Sequence, residues 1–448
     1  MTKKFLILAA AALAMRAADR KAAVDQLVQP VIDTGAAQAV VAAVVENGKA
    51  QILGYGKGPG GAAPDGSGIF EIGPVTMTFT TLALAQMVQQ KTVALEDPVR
   101  KYLPANAVPA GAQGDAEIRL LDLAAEQSGL PNLPRNIHPK NPADPFADYT
   151  PQLLYEFLGT ETLRLIPNAG FSYSNLGMGL LGHALSLRYG KPYEQMIVDL
   201  AAAPLGMKDT RITLSADQQK RLVEGHNPDG KPVPGWNFDV LAGAGALRSD
   251  AADLARYVAA QIDPPEKLKA AMDLTHVERQ KIVNRGSVAL AWLIKPDGKT
   301  YWVQGATAGS GAYVSFNTER KTGIVVLVDN GGPLGAQIGE RLEHLLGGEA
   351  VEPLPLHHPI TLDSKTLDEY VGAYEVLPGV RMTITRQGDD LFVQLPNQAP
   401  VRLYAEAKDK FFPRVVDATF TFERDGQGQV AVCDLHQGQR DVKGKKVQ

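Results

Sequence analysis

The chain has a single cysteine, Cys433, among 448 residues, so no disulfide can form within it. Cys433 follows the apolar run Val430-Ala431-Val432, the setting of a small core residue rather than a reactive thiol. The eight histidines are scattered, with no His-x-x-x-His or Cys/His cluster at ligand spacing. No metal and no cofactor is therefore expected. His357-His358 is an adjacent pair, but it lies in a proline-rich stretch that reads as linker. Charge of one sign is lacking too: 45 Lys and Arg face 49 Asp and Glu, for a net charge of -4. That balance leaves no electrostatic footprint for a nucleic acid. Lys443, Lys445 and Lys446 at the C-terminus read as a polar tail. Long hydrophobic runs are missing as well, and no membrane span is expected. The longest run, Phe5 to Leu13, falls well short of the roughly 20 residues a spanning helix needs.

That run follows Lys3 and Lys4 and precedes the small-residue stretch Ala12-Leu13-Ala14. This is the layout of a secretory signal over residues 1–18, with export as the expectation. The rival reading, a helical start to the first domain, rests on Arg16, Asp19 and Arg20 close behind. Beyond it the chain has 45% hydrophobic and 21% charged residues, the balance of a folded globular protein. Its length calls for one large domain and one small one.

Helical spacing of Val24, Leu27, Val28 and Val31 predicts a helix over Ala22 to Ile32, stopped by Gly35. Two β-rich runs, Ala39 to Val45 and Ala50 to Tyr55, flank Asn47-Gly48 and predict a hairpin. Pro74 to Gln90 reads as a long apolar helix with proline in its first turn. Asp250 to Ile262 reads as an amphipathic helix opened by Ser249. Strands are expected over Val288 to Ile294, Thr300 to Val303, Tyr313 to Phe316 and Gly323 to Val328, and a last helix from Ala336 to Leu346. Strands at both ends with helices between them predict an antiparallel sheet flanked by helices, with a helical insert. The fold class is thus α/β in content and α+β in order. This large domain is placed at residues 20–350, and a Gly/Pro/His-rich linker at 351–361. Residues 362–448 carry short alternating runs separated by turns such as Gln387-Gly388-Asp389. They predict a small all-β barrel.

A serine acyl-transfer site of the Ser-x-x-Lys type needs a hydroxyl at a helix N-terminus and a lysine one turn later on the same face. It also needs a Tyr or Ser beside them and a strand carrying an oxyanion donor. The segment Phe70-Glu71-Ile72-Gly73-Pro74-Val75-Thr76-Met77-Thr78-Phe79-Thr80 resembles that element of class C β-lactamases and the related D-Ala-D-Ala carboxypeptidases and esterases. Pro74 stands where the family has its serine, and Met77 where it has its lysine. Phe171-Ser172-Tyr173-Ser174-Asn175 resembles the family's second motif, Tyr-x-Asn, with Tyr173 and Asn175 intact. Gln127-Ser128-Gly129-Leu130-Pro131 and Pro204-Leu205-Gly206-Met207 resemble further landmarks. Trp302-Val303-Gln304-Gly305-Ala306 sits where the family's pocket strand carries Lys-Thr-Gly or His-x-Gly, so Val303 replaces the cation or imidazole. The resemblance covers about residues 20 to 350, with a weaker likeness of the C-terminal part to a small barrel found in some members.

It implies the β-lactamase/transpeptidase, or penicillin-binding-protein, fold and a serine-hydrolase ancestry. The three replaced positions imply an enzyme silenced in place, and the N-terminal signal layout implies its export to the bacterial periplasm. Tyr173, Asn175, Gly305 and Ala306 are then the candidates to hold a small-molecule, peptidoglycan-like or β-lactam ligand without bonding to it. Two other readings stand beside this one. The chain is a working β-lactamase, carboxypeptidase or esterase with an unidentified nucleophile, for which Thr76, Thr78 and Ser310 are the hydroxyls to weigh. Alternatively it is an interaction scaffold whose barrel is the active part.

Overall fold

Asn47 and Gly48 both take positive φ, 50° and 75°, and fold the chain back into the expected hairpin of β1 (Ala39–Glu46) and β2 (Lys49–Gly56). Such a turn matches the right-handed twist of its flanking strands. The computed structural model describes residues 20–447 apart from 106, 108–116, 161–166, 284–285, 350, 355, 397, 399, 417 and 438–439. The apolar run Phe5 to Leu13 and its expected cleavage site lie outside the described residues. Two compact units divide at Pro353 and Leu354.

The first unit is built on an eight-stranded antiparallel sheet. In chain order after the hairpin come β3 (Ile69–Glu71) and β4 (Arg248–Asp250), which pair with each other outside it. The sheet continues with β5 (Gln280–Ile282), β6 (Gly286–Val288), β7 (Leu293–Ile294), β8 (Thr300–Ala306), β9 (Gly311–Asn317) and β10 (Thr322–Val328). The strand order is β2-β1-β10-β9-β8-β7-β6-β5, so the N-terminal hairpin completes a sheet made otherwise by the last strands of the unit. β1 reads Ala-Val-Val-Ala-Ala-Val-Val before Glu46 and is buried along that whole run, as a strand covered on both faces must be. Helix Ala251–Ile262 covers one face, where a side chain at Gly323 would collide with Val258. Helix Leu334–Leu346 covers the other, with Gly335 against Val328. The insert between β3 and β4 is helical and contains Thr76–Gln89, whose Phe79 stacks on Tyr257 at 4.2 Å.

Three expectations need correction here. The helix expected to open at Ser249 is capped by Asp250, whose carboxylate accepts the Asp253 N–H at 2.7 Å. Ser249 instead belongs to β4 and shares a hydrogen bond with Thr210. The single strand expected over Val288 to Ile294 is two strands, β6 and β7. Ala289 to Trp292 form a tight turn between them, with Ala291 at φ 61° and its N–H given to Ala124. Apolar composition hid the turn, because Trp292 is fully buried all the same. The third correction is in the second unit. Residues 440–446 are no loose tail but a strand that closes the barrel.

That unit is a closed antiparallel barrel: β11 (Gly372–Leu377), β12 (Val380–Gln387), β13 (Asp390–Gln394), β14 (Val401–Ala407), β15 (Lys410–Phe412), β16 (Thr419–Arg424), β17 (Val430–Gln437) and β18 (Arg440–Lys446). β18 pairs with β17 over its length and with β11 at Tyr374 and Glu375, which removes the sheet's edges. Cys433 faces the core and is fully buried. His357 stacks on Phe412 at 4.2 Å and meets Glu406 at 3.2 Å, so this part of the expected linker is packed onto its barrel.

Candidate active site

The motif helix begins where β3 ends. Gly73 takes φ 47°, a conformation that suits glycine, and turns the chain through Gly73–Val75 into Thr76–Gln89. Pro74 sits at the head of this helix, where its missing N–H breaks no helical hydrogen bond. Met77 follows one turn later and is buried, 3% exposed, among the side chains of the main core. The helix is buried on nearly all sides, so an uncharged side chain at 77 costs nothing in desolvation.

β8 lies directly against this turn. A side chain at Gly305 would come within 2.1 Å of the Ile72 carbonyl, and one at Gly73 within 3.0 Å of the Ala306 nitrogen. The two backbones therefore touch, and this close approach is what Gly305 provides. Along β8, β7 pairs only with Tyr301 and Trp302, so beyond Trp302 no described strand flanks β8 on that side. Val303 is buried, 6% exposed, and Ala306 is exposed at the strand end. Gly305 and Ala306 are thus brought against Ile72, Gly73 and Pro74, with Val303 two residues earlier on the same strand.

The second motif enters on helix Asn175–Tyr189, which packs on the Thr76–Gln89 helix. Ser174 caps it, accepting the Gly177 N–H at 2.9 Å and donating to the Pro131 carbonyl at 2.7 Å. Tyr173 donates to the Asn175 carboxamide oxygen at 3.0 Å, and Asn175 donates to the Asn132 side chain at 2.9 Å. Asn132 accepts the Asn175 backbone N–H as well. The Tyr173 residue is 39% exposed, yet its phenol is desolvated and feels the nearby Glu126. Both effects push its pKa above the ordinary tyrosine range. It is a hydrogen-bonding phenol here, not a base.

Beneath this loop lies Glu126, 4% exposed and itself at φ 54°. Its carboxylate accepts the Ser174 N–H at 2.7 Å, its backbone carbonyl accepts the Ser172 N–H at 2.7 Å, and its Oε1 has no partner among the described residues. Burial pushes its carboxyl up to about 8, only partly opposed by the Ser174 hydrogen bond. Neither Glu126 nor Asn132 is evident from sequence, since their partners lie over 40 residues away and neither completes a local motif. Glu71 is a further buried carboxyl beside the turn. Desolvation raises its pKa, while Thr307 and the Arg248 guanidinium, 3.2 Å away, oppose the rise.

The two threonine hydroxyls among the alternatives are committed elsewhere. Thr76 is fully buried and accepts the Leu247 N–H at 3.2 Å; Thr78, also buried, donates back to the Val75 carbonyl at 2.8 Å. Ser310, 3% exposed, lies in the β8–β9 turn, where its carbonyl accepts the Thr307 N–H at 2.9 Å and its own N–H donates to the Thr307 hydroxyl at 3.2 Å. Thr76 opens the motif helix but is fully buried there, and among the described residues none of the three has a basic side chain among its hydrogen-bond partners. Among the described residues no group of acidic, histidine and cysteine side chains is placed to hold a metal ion.

The Beta-lactamase family model matches residues 24–347, nearly three quarters of the chain. The chain belongs to the β-lactamase family. Residues 356–447 match a domain of unknown function, DUF3471. A β-lactamase of Pseudomonas fluorescens is 26% identical over 360 residues, covering 71% of this chain and 95% of that protein. The D-alanyl-D-alanine-carboxypeptidase/endopeptidase AmpH of Escherichia coli is 30% identical over 237 residues, 52% of this chain and 60% of that one. Among solved structures, the β-lactamase/D-alanine carboxypeptidase of Yersinia pestis matches with a TM-score of 0.63 and 24% identity over 72% of this chain and 97% of that one. The octameric penicillin-binding protein homologue of Pyrococcus abyssi matches with 0.63 and 20% over 93% of this chain and 98% of that one. At these identities the two structures establish the fold, and no more.

Proposed function

We propose that this β-lactamase-family chain is a silenced enzyme that binds, without reacting, a peptidoglycan-like peptide or β-lactam. The carrying observation is Pro74 at the head of the motif helix. A prolyl residue has no hydroxyl, so no acyl-enzyme forms there. It has no N–H either, which leaves the Ala306 N–H without the second donor an oxyanion needs. Loss of one such donor costs about 2.7–4 kcal/mol of transition-state stabilisation. Met77 supplies no proton acceptor and no positive field, and Val303 supplies neither cation nor imidazole. Tyr173, Asn175 and the backbone at Gly305 and Ala306 remain to position a ligand. The N-terminal layout supports export to the periplasm as part of the same reading.

The test is nitrocefin turnover measured together with equilibrium binding of penicillin G and of a D-Ala-D-Ala tripeptide. Reversible binding of either ligand that weakens on Asn175→Ala, with no turnover, is expected. Turnover that survives Pro74→Gly and is lost on Thr76→Val, Thr78→Val or Ser310→Ala contradicts the proposal.

A further inference from the structure

The barrel is filled unevenly along its axis. Tyr370, Phe411 and Phe422 pack with ring centroids 4.7–5.5 Å apart and occupy one half of its interior. The helix Ser364–Asp368 lies at that end with Leu367 buried, and Tyr370 donates to Asp409, which Arg424 also holds. The turn at Asp409 and the loop at 425–429 belong to the same end. That end is stoppered.

At the other end the strands leave a cavity of about 330 Å³. The register places Val393 opposite Val401 and Phe420 opposite Leu435 at this end, so the cavity continues the barrel interior. Ala418, Phe420 and Leu435 are buried in its wall, while Val415 stands 53% exposed at the mouth. Among the described residues no lining side chain carries a formal charge; the polar ones are the carboxamides of Gln398 and Gln437. Barrels of this strand number have room either for their own side chains or for one small ligand. This barrel divides its interior between the two.

We propose that the open half of the barrel binds a small, uncharged, predominantly apolar molecule carrying at most a hydrogen-bonding end group. The volume falls at the lower end of the range for small-molecule sites, about 300–1,000 Å³. A carboxylate or ammonium entering the cavity would be desolvated with no opposite charge to meet it. A hydroxyl, ester or amide end has Gln398 and Gln437 for partners.

The full chain is titrated with N-phenyl-1-naphthylamine, an uncharged fluorescent probe. One saturable site per chain is expected, displaced by 1-octanol and about tenfold less well by octanoate at neutral pH. Ala418→Phe, which fills the cavity, weakens the probe about tenfold or more. Gln437→Glu, an exposed rim position, weakens it by a smaller factor and keeps the test open if the first variant misfolds. Circular dichroism checks that both keep the barrel. Absence of a saturable site, binding unchanged in folded variants, or octanoate competing as well as octanol would overturn the proposal.

Discussion

The two walls of the candidate site have been kept by different means. On the wall of the first and third motifs, Pro74, Met77 and Val303 satisfy packing alone; none donates or accepts a side-chain hydrogen bond in the site. On the wall of the second motif, Tyr173 and Asn175 sit in a chain of polar partners that runs through Asn132, Ser174 and Glu126. The difference is one of energetics. An apolar side chain of suitable size can replace a buried lysine with no partner to provide, whereas each buried polar group in a network leaves another unpaired when it is lost. A scaffold can thus lose its chemistry on one wall while the other stays intact for structural reasons. Tyr173 and Asn175 are hydrogen-bonded members of that network, whatever ligand they meet.

Four variants separate packing from polar networks, from the largest expected effect to the smallest. Gly305→Val forces a side chain onto the Ile72 carbonyl, 2.1 Å from where its Cβ would lie. It should destabilise the first unit by about 3 kcal/mol or more in urea unfolding.

Glu126→Gln is a test by pH. Its carboxyl is raised from 4.5 to about 8 in the fold, so the folded chain holds a proton that the unfolded chain releases. Stability from this group is complete below pH 4.5 and is lost as the pH rises through 8. The glutamine variant, which keeps the acceptor for Ser174, should match the parent at pH 5 and exceed it on the order of 1–3 kcal/mol at pH 9. Equal pH profiles in thermal melts would remove Glu126 from the account. Asn132→Ala removes the acceptor shared by the Asn175 N–H and carboxamide and, with both bonds solvent-exposed, should cost about 1 kcal/mol. Its ligand affinity should fall as far as that of Asn175→Ala. The smallest effect belongs to Met77→Leu, a volume-conserving change on the packing wall, which should cost less still.

Legibility in the sequence follows the same division. The Asn47-Gly48 hairpin, the motif helix and most barrel strands were readable because each signal is local: a turn pair, a helical period or an alternation. The first and third motifs were readable as replaced positions because their spacing survives. The brace beneath Tyr173 was not, because Glu126 and Asn132 act across long stretches of chain and at spacings no periodicity encodes. β18 escaped for a different reason. Its lysines alternate with little apolar content, and what makes it a strand is pairing with β17 and β11 together with ion pairs such as Lys443 to Glu423.

If Pro74, Met77 and Val303 are what silences the proposed enzyme, intact-protein mass after incubation with a penicillin will show it. The parent chain and the variant Pro74→Ser/Met77→Lys/Val303→His are measured side by side. Only the restored variant is expected to gain the mass of the drug. A parent chain that gains it as well contradicts the account and requires a nucleophile elsewhere in the fold.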